Sequence, residues 1–325
     1  MSNLTLSLVD VRQERLGCDN MNLKDYGYTT IQIETKGICN MRCEFCIFPS
    51  MTDRGSTLDS SLIFSLLSEL DEGTIISLFR YNEPLLDERI FDFVDYANTH
   101  GLSTEVRTNG LLLTNGNIRK KIIAHMPNEF SISMLQTNKI DFALSRGTKV
   151  SFDSYLEGIQ QYITESGTQP TIYVGCNFRK WYSPLKRLLG IEVNIPTISN
   201  IPEESYSGKF GVSISLKPFI NAYKLTEFYP TSCLNPCMMD TLAVDSNGVV
   251  SPCCMTYGNM FPLGNLKDNT LGEILEQSKD TIANIRSGKN LPECCYRCQG
   301  QPTNRGAKFV SWYRELKKVL PLDRL

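Results

Sequence analysis

From Thr29 to Gly175 the chain alternates short strand-like runs with helix-length amphipathic segments, and that alternation limits the fold more than any other feature. Thr30-Ile-Gln-Ile-Glu34 switches between polar and apolar positions as a first strand should. Ser60 to Leu70 sets Leu62, Ile63, Leu66, Leu67 and Leu70 on one helical face. Further strands are predicted at 74–79, 103–107, 130–134 and 171–175, with helices at 87–98, 115–125, 152–164 and 182–189. A sixth strand falls at either 190–194 or 210–216. Strands separated by helices imply right-handed crossovers and a parallel sheet. Five or six such units fall short of the eight that close a full barrel. The expected fold is therefore α/β, a partial (β/α)6 barrel of the TIM type.

Beyond about Lys224 the pattern changes. Leu242-Ala-Val-Asp-Ser-Asn-Gly-Val-Val250 is two apolar runs around Asn247-Gly248, a hairpin signal. Helical text follows at 271–277 and at 307–319. The division expected is an N-terminal extension over 1–28, the partial barrel over 29–225 and a small α+β domain over 226–325.

The first strand delivers the chain into Cys39-Asn-Met-Arg-Cys43-Glu-Phe-Cys46. This C-x3-C-x2-C run offers three thiolates, one short of the four that normally hold an iron–sulfur cube. One iron would keep an open position for a chelating small molecule. A zinc knot normally pairs C-x2-C units and closes with four ligands, which this run does not provide.

The chain has 325 residues, 41% hydrophobic and 21% charged, with a formal charge of −2. Such a balance gives no basic field to attract nucleic acid. No apolar run approaches the length of a membrane span, and the N-terminus lacks a signal-peptide layout. The expected location is the cytoplasm, where thiols stay reduced, so the 12 cysteines read as metal chemistry and not as disulfides.

The three-cysteine run, with Phe45 before its third cysteine, resembles that of the radical S-adenosylmethionine (SAM) superfamily. The resemblance implies a 4Fe–4S cluster on Cys39, Cys43 and Cys46, with SAM on its open iron. Asn82-Glu83-Pro84 stands where the family carries a Gly-Gly-Glu element, so Glu83 would accept hydrogen bonds from the SAM amino group. Tyr81-Asn82 replaces the usual glycines there. The same resemblance assigns SAM contacts to Phe45, Asn109, Ser133, Arg146 and Asn177, although polar residues at strand ends often only satisfy backbone groups.

Cys237, Gly248, Cys253 and the pair Cys295-Tyr-Arg-Cys298 resemble the twitch domain, a shortened SPASM domain that follows such barrels. They supply four thiolates for one auxiliary 4Fe–4S cluster. A four-cysteine zinc ribbon has the same ligand count. Cys233, Cys254 and Cys294 are near neighbours that can replace Cys237, Cys253 and Cys295.

The layout is similar to that of the 2-deoxy-scyllo-inosamine dehydrogenases, which implies oxidation of an alcohol carbon of a small molecule such as a sugar or aminocyclitol, the auxiliary cluster taking the electron. The resemblance is weakest between about 178 and 232, where substrate contacts would lie. Two alternatives stay open. One is epimerisation with a cysteine hydrogen donor, Cys254 or Cys294. The other is peptide modification by thioether or carbon–carbon bond formation, against which stands the shortness of the segment before the first strand. A flavodoxin or ferredoxin is the implied electron donor. The general base cannot be chosen from the sequence.

Overall fold

The structure is a computed structural model that describes residues 21–43, 46, 48–51, 54–135, 139–168, 170–175, 215–219, 240–254, 256 and 261–287. Its frame is β1 (Thr30–Ile33), α1 (Ser60–Ser68), β2 (Ile75–Ser77), α2 (Ile90–Thr99), β3 (Ser103–Thr108), α3 (Gly116–Ala124) and β4 (Glu129–Leu135). Then come α4 (Lys139–Arg146), α5 (Phe152–Ser166), β5 (Thr171–Gly175) and β6 (Ser215–Phe219). The last described part holds β7 (Thr241–Val244), β8 (Val249–Ser251), β9 (Gly264–Asn265), α6 (Leu271–Gln277) and α7 (Lys279–Ser287).

All the described strands join one sheet in the order β6-β5-β4-β3-β2-β1-β7-β8-β9. Pairing is parallel from β6 through β7 and antiparallel for β8 and β9. Six strands in sequential order make the partial barrel. The hairpin β7–β8 continues the same sheet, with Thr30 to Ile33 facing Thr241 to Val244. Of the two predicted sixth strands, the second comes nearest, since β6 begins at Ser215; 190–194 lies outside the described residues, as do the helices predicted at 182–189 and 307–319.

Strand alternation sorts the two faces. Ile31, Ile33, Ile76, Leu78, Val106, Phe130, Ile132, Met134 and Ile172 point into the main core with α1, α2, α3 and α5. Side-chain caps start α1 and α5: Asp59 accepts from Ser61 N at 2.8 Å, and Ser151 from Ser154 N at 3.1 Å. The opposite face carries Gln32, Ser77, Glu105, Arg107, Ser131 and Ser133. There Ser77 Oγ donates to Glu105 Oε2 at 2.5 Å, Arg107 Nε donates to Ser131 Oγ at 3.2 Å, and the Arg107 guanidinium lies 4.5 Å from the Phe79 ring centre. One face is therefore an apolar floor for helices and the other a polar lumen. Ligands gather at the carboxyl ends of strands in such folds. The cysteine loop leaves β1 at that end.

Candidate functional site

Three strand ends converge on the cysteine loop. After β1, Cys39 and Cys46 are half-buried and Cys43 is buried. Cys39 and Cys46 pack against a small apolar cluster of Phe48, Met51 and Tyr81. The Phe48 N–H points at Cys46 Sγ, 3.4 Å away. Burial pushes the Cys39 thiol up to about 12 and the Cys46 thiol to about 11, the neighbouring cysteines adding to both. Bare thiols in this pocket stay protonated, and a metal centre would supply the positive charge that turns them into ligands.

Among the described residues, no three His, Cys, Asp or Glu side chains are arranged to hold a single metal ion. In a cube each of the three cysteines would bind a separate iron.

Glu83 follows β2 and is almost fully buried. Its Oε1 accepts from Thr108 Oγ1 at 2.7 Å and from Leu85 N at 3.2 Å, and its Oε2 from Asn109 N at 2.7 Å. Burial raises its carboxyl to about 7, against the pull of these three donors and of Arg146. A carboxylate has about four acceptor positions. Three are filled, which leaves one on Oε2 for a further donor.

Asn109 ties the end of β3 to the loop. Its Nδ2 donates to Asn40 Oδ1 at 2.8 Å and points at Cys39 Sγ, 3.8 Å away, while its carbonyl accepts from Tyr155 Oη at 2.9 Å. Gly110 follows at φ +83°, and a Cβ there would meet Tyr155 Oη at 2.9 Å. The turn needs glycine both for its backbone angle and for that contact.

Arg146 ends α4 and is buried. Its guanidinium donates to the carbonyls of Met134, at 2.7 Å, and Ser133, and reaches Cys43 Sγ at 3.7 Å. Its own carbonyl accepts from Arg42 N at 3.1 Å. Arg146 thus stands beside the cluster loop and fastens it to the end of β4, where pairing with β5 shifts register between Ser133 and Leu135. Ser133 lies on the lumen face, its carbonyl held by Arg146. Phe45 and Asn177 lie outside the described residues.

Of the auxiliary-domain cysteines, Cys253 and Cys254 are described and half-buried at the end of the β7–β8 hairpin. Cys233, Cys237, Cys294, Cys295 and Cys298 lie outside the described residues. Two features escaped sequence reasoning. Tyr81 Oη donates to the carbonyls of Cys254, at 3.1 Å, and Thr256, at 3.3 Å. Glu34, one residue past β1, is buried: Oε2 accepts from Ser246 Oγ at 3.2 Å, whereas Oε1 has no hydrogen-bond partner in the structure. Burial raises its carboxyl and Arg80 opposes that shift. A glutamate ending a strand reads in sequence as an exposed polar position, so its burial gave no signal.

A half-barrel with three cysteines in its first loop and a cysteine-bearing hairpin on its sheet defines a class of iron–sulfur α/β enzymes. The chain carries a domain of the radical SAM superfamily over residues 33–178 and an iron–sulfur cluster-binding SPASM domain over residues 233–299. It is 22% identical over 309 residues to a tungsten-containing aldehyde ferredoxin oxidoreductase cofactor-modifying protein of Pyrococcus furiosus, covering 82% of this chain and 86% of that protein. Streptococcus suis SuiB bound to its precursor peptide SuiA is similar in fold, with a TM-score of 0.55, 13% identity and coverage of 85% of this chain and 72% of SuiB. BtrN in complex with AdoMet and 2-DOIA gives a TM-score of 0.48 at 16% identity, over 80% of this chain and 86% of BtrN.

The two domains imply a SAM-binding 4Fe–4S cluster and an auxiliary iron–sulfur cluster. No helix among the described residues is long and apolar enough to cross a membrane.

Proposed function

We propose that this radical SAM enzyme oxidises an alcohol carbon of a small molecule such as a sugar or aminocyclitol. When bound, the reduced cluster and SAM supply a 5′-deoxyadenosyl radical, and the auxiliary cluster supplies an electron sink. Cys39, Cys43 and Cys46 would hold the first cluster, and Cys253 with Cys237, Cys295 and Cys298 the second. The open acceptor position on Glu83 Oε2 would take the SAM amino group. Asn109 and Arg146 keep that corner in place by tying β3 and β4 to the loop.

For the atoms to balance, the substrate carbon would give one hydrogen atom to the 5′-deoxyadenosyl radical, making deoxyadenosine, its hydroxyl would give one proton, and the one remaining electron would pass to the auxiliary cluster. Glu34 is the group suited to the proton. It sits on the lumen face at the barrel's carboxyl end, and its Oε1 still lacks a donor. The observation that supports the reading is the reach of Tyr81, which packs beside Cys39 and Cys46 and donates to the carbonyls of Cys254 and Thr256. The segment that follows Cys253 is thus one side chain away from the three-cysteine loop, a short way for an electron.

The test is a panel of sugars and aminocyclitols given to reconstituted, reduced enzyme with SAM in D2O. Oxidation forms one deoxyadenosine per ketone, with no solvent deuterium in the product. Product of unchanged composition carrying one deuterium would replace the reading with epimerisation, Cys254 being the half-buried donor at hand. Turnover of peptides alone would move the substrate class to peptide modification. A flavodoxin or ferredoxin would serve as electron donor, and a cytoplasmic setting suits both.

A further inference from the structure

We propose that Tyr81 is a positioning residue that fixes the separation of the two cluster sites. The inference rests on the reading that an auxiliary cluster lies at the end of the β7–β8 hairpin. Tyr81 is 6% exposed, and its ring belongs to the apolar cluster on which Cys39 and Cys46 rest. Its hydroxyl, at the far end of the same ring, donates to the carbonyls of Cys254 and Thr256. One rigid side chain thus has its body at one cysteine site and its polar tip at the other.

The surroundings hold that ring in place. The Arg80 guanidinium lies 5.1 Å from the ring centre and itself donates to the Thr256 carbonyl. Thr256 Oγ1 closes the turn by donating to Cys253 O at 2.7 Å. A buried phenol needs a hydrogen-bond partner, and these carbonyls supply it. Tyrosine has two side-chain torsions, so it holds a span at little cost in conformational entropy. Phenylalanine would fill the same apolar space without gripping the turn. Electron exchange between the clusters depends on their separation, so what fixes the turn also fixes the path.

The test compares anaerobically reconstituted wild type with Tyr81→Phe and Tyr81→Leu. Readouts are iron content, amide exchange of the 251–256 segment, and intercluster distance by pulsed EPR. Wild type should hold about eight irons, two cubes' worth, and show one narrow distance. Tyr81→Phe should keep its irons while exchange in the segment quickens about fivefold, the equilibrium weight of one hydrogen bond, and the distance distribution broadens. Tyr81→Leu should in addition lose iron from the three-cysteine loop, whose apolar support it cuts away. Unchanged exchange and distance in Tyr81→Phe would overturn the inference, and so would a broad distribution in wild type. About four irons in wild type would instead overturn the underlying reading, which keeps the two failures apart.

Discussion

Replacing Glu83 by Gln tests the proposed contact of this carboxylate with SAM without changing its shape. The wild-type carboxyl titrates at about 7, because burial disfavours its charge more than three hydrogen bonds favour it. Only the ionised form offers a charged acceptor to the SAM amino group. Affinity through this contact should therefore be full above pH 7 and fall as pH drops below it. With a pKa of about 7, roughly one carboxyl in eleven is ionised at pH 6 and most are at pH 8, so the contact weakens about tenfold between them. A hydrogen bond to a charged group contributes about 1.5–3 kcal/mol, so Glu83→Gln should weaken SAM binding at pH 8 by about ten- to a hundredfold. The assay is calorimetric titration of SAM into reconstituted, anaerobic protein between pH 6 and 8.5. Dividing wild-type by variant affinity at each pH removes the amino group's own titration. A ratio that stays flat with pH, or a variant that binds as tightly as wild type, would refute the role of Glu83.

The same carboxyl affects stability in a definite direction. Its folded value is raised, so the fold holds its proton more tightly than the unfolded chain; the stabilisation is full below about 4.5 and is lost as pH rises through about 7. The loss amounts to about 3 kcal/mol for this fully buried group, and denaturant unfolding of cluster-free protein should show that slope in wild type and not in Glu83→Gln. Gly110→Ala puts a Cβ at positive φ within 2.9 Å of Tyr155 Oη, so it should cost about 1–3 kcal/mol in the same unfolding assay and weaken SAM binding by displacing Asn109. Glu34→Gln should keep reductive SAM cleavage while product formation on the oxidised substrate falls about a hundredfold or more, read as deoxyadenosine released without ketone. Cys253→Ser should lower the iron count from about eight toward four and leave the SAM-dependent signal of the first cluster in place.

Local patterning was enough to read the barrel. Ile31 and Ile33 alternate with Gln32 because one face of β1 meets helices and the other a lumen, and the same rule marked the later strands. The sequence pattern gives no helix at α4 because Lys139 to Arg146 is only about two turns long; Phe142, packed against Phe152 and Tyr155, holds it in place. The parallel pairing of β7 with β1 joins residues some two hundred positions apart, which no local pattern reveals. Tyr81 was visible only as a departure from the glycines expected beside Glu83. Its reason lies in three dimensions, where the hydroxyl reaches the Cys254 turn. Asn109 and Arg146, expected from the resemblance as SAM contacts, stand at the loop, where the contacts they make fasten backbone segments and cysteines together, a role that spacing cannot distinguish from ligand contact.

If Cys39, Cys43 and Cys46 leave one iron of a cube without a protein ligand, as proposed, that iron is open to SAM. Electron paramagnetic resonance of the reduced, anaerobic protein before and after SAM addition reads this. A shifted signal on SAM addition, lost in Cys43→Ala, is the predicted result. A spectrum indifferent to SAM would contradict the claim and leave a structural metal protein.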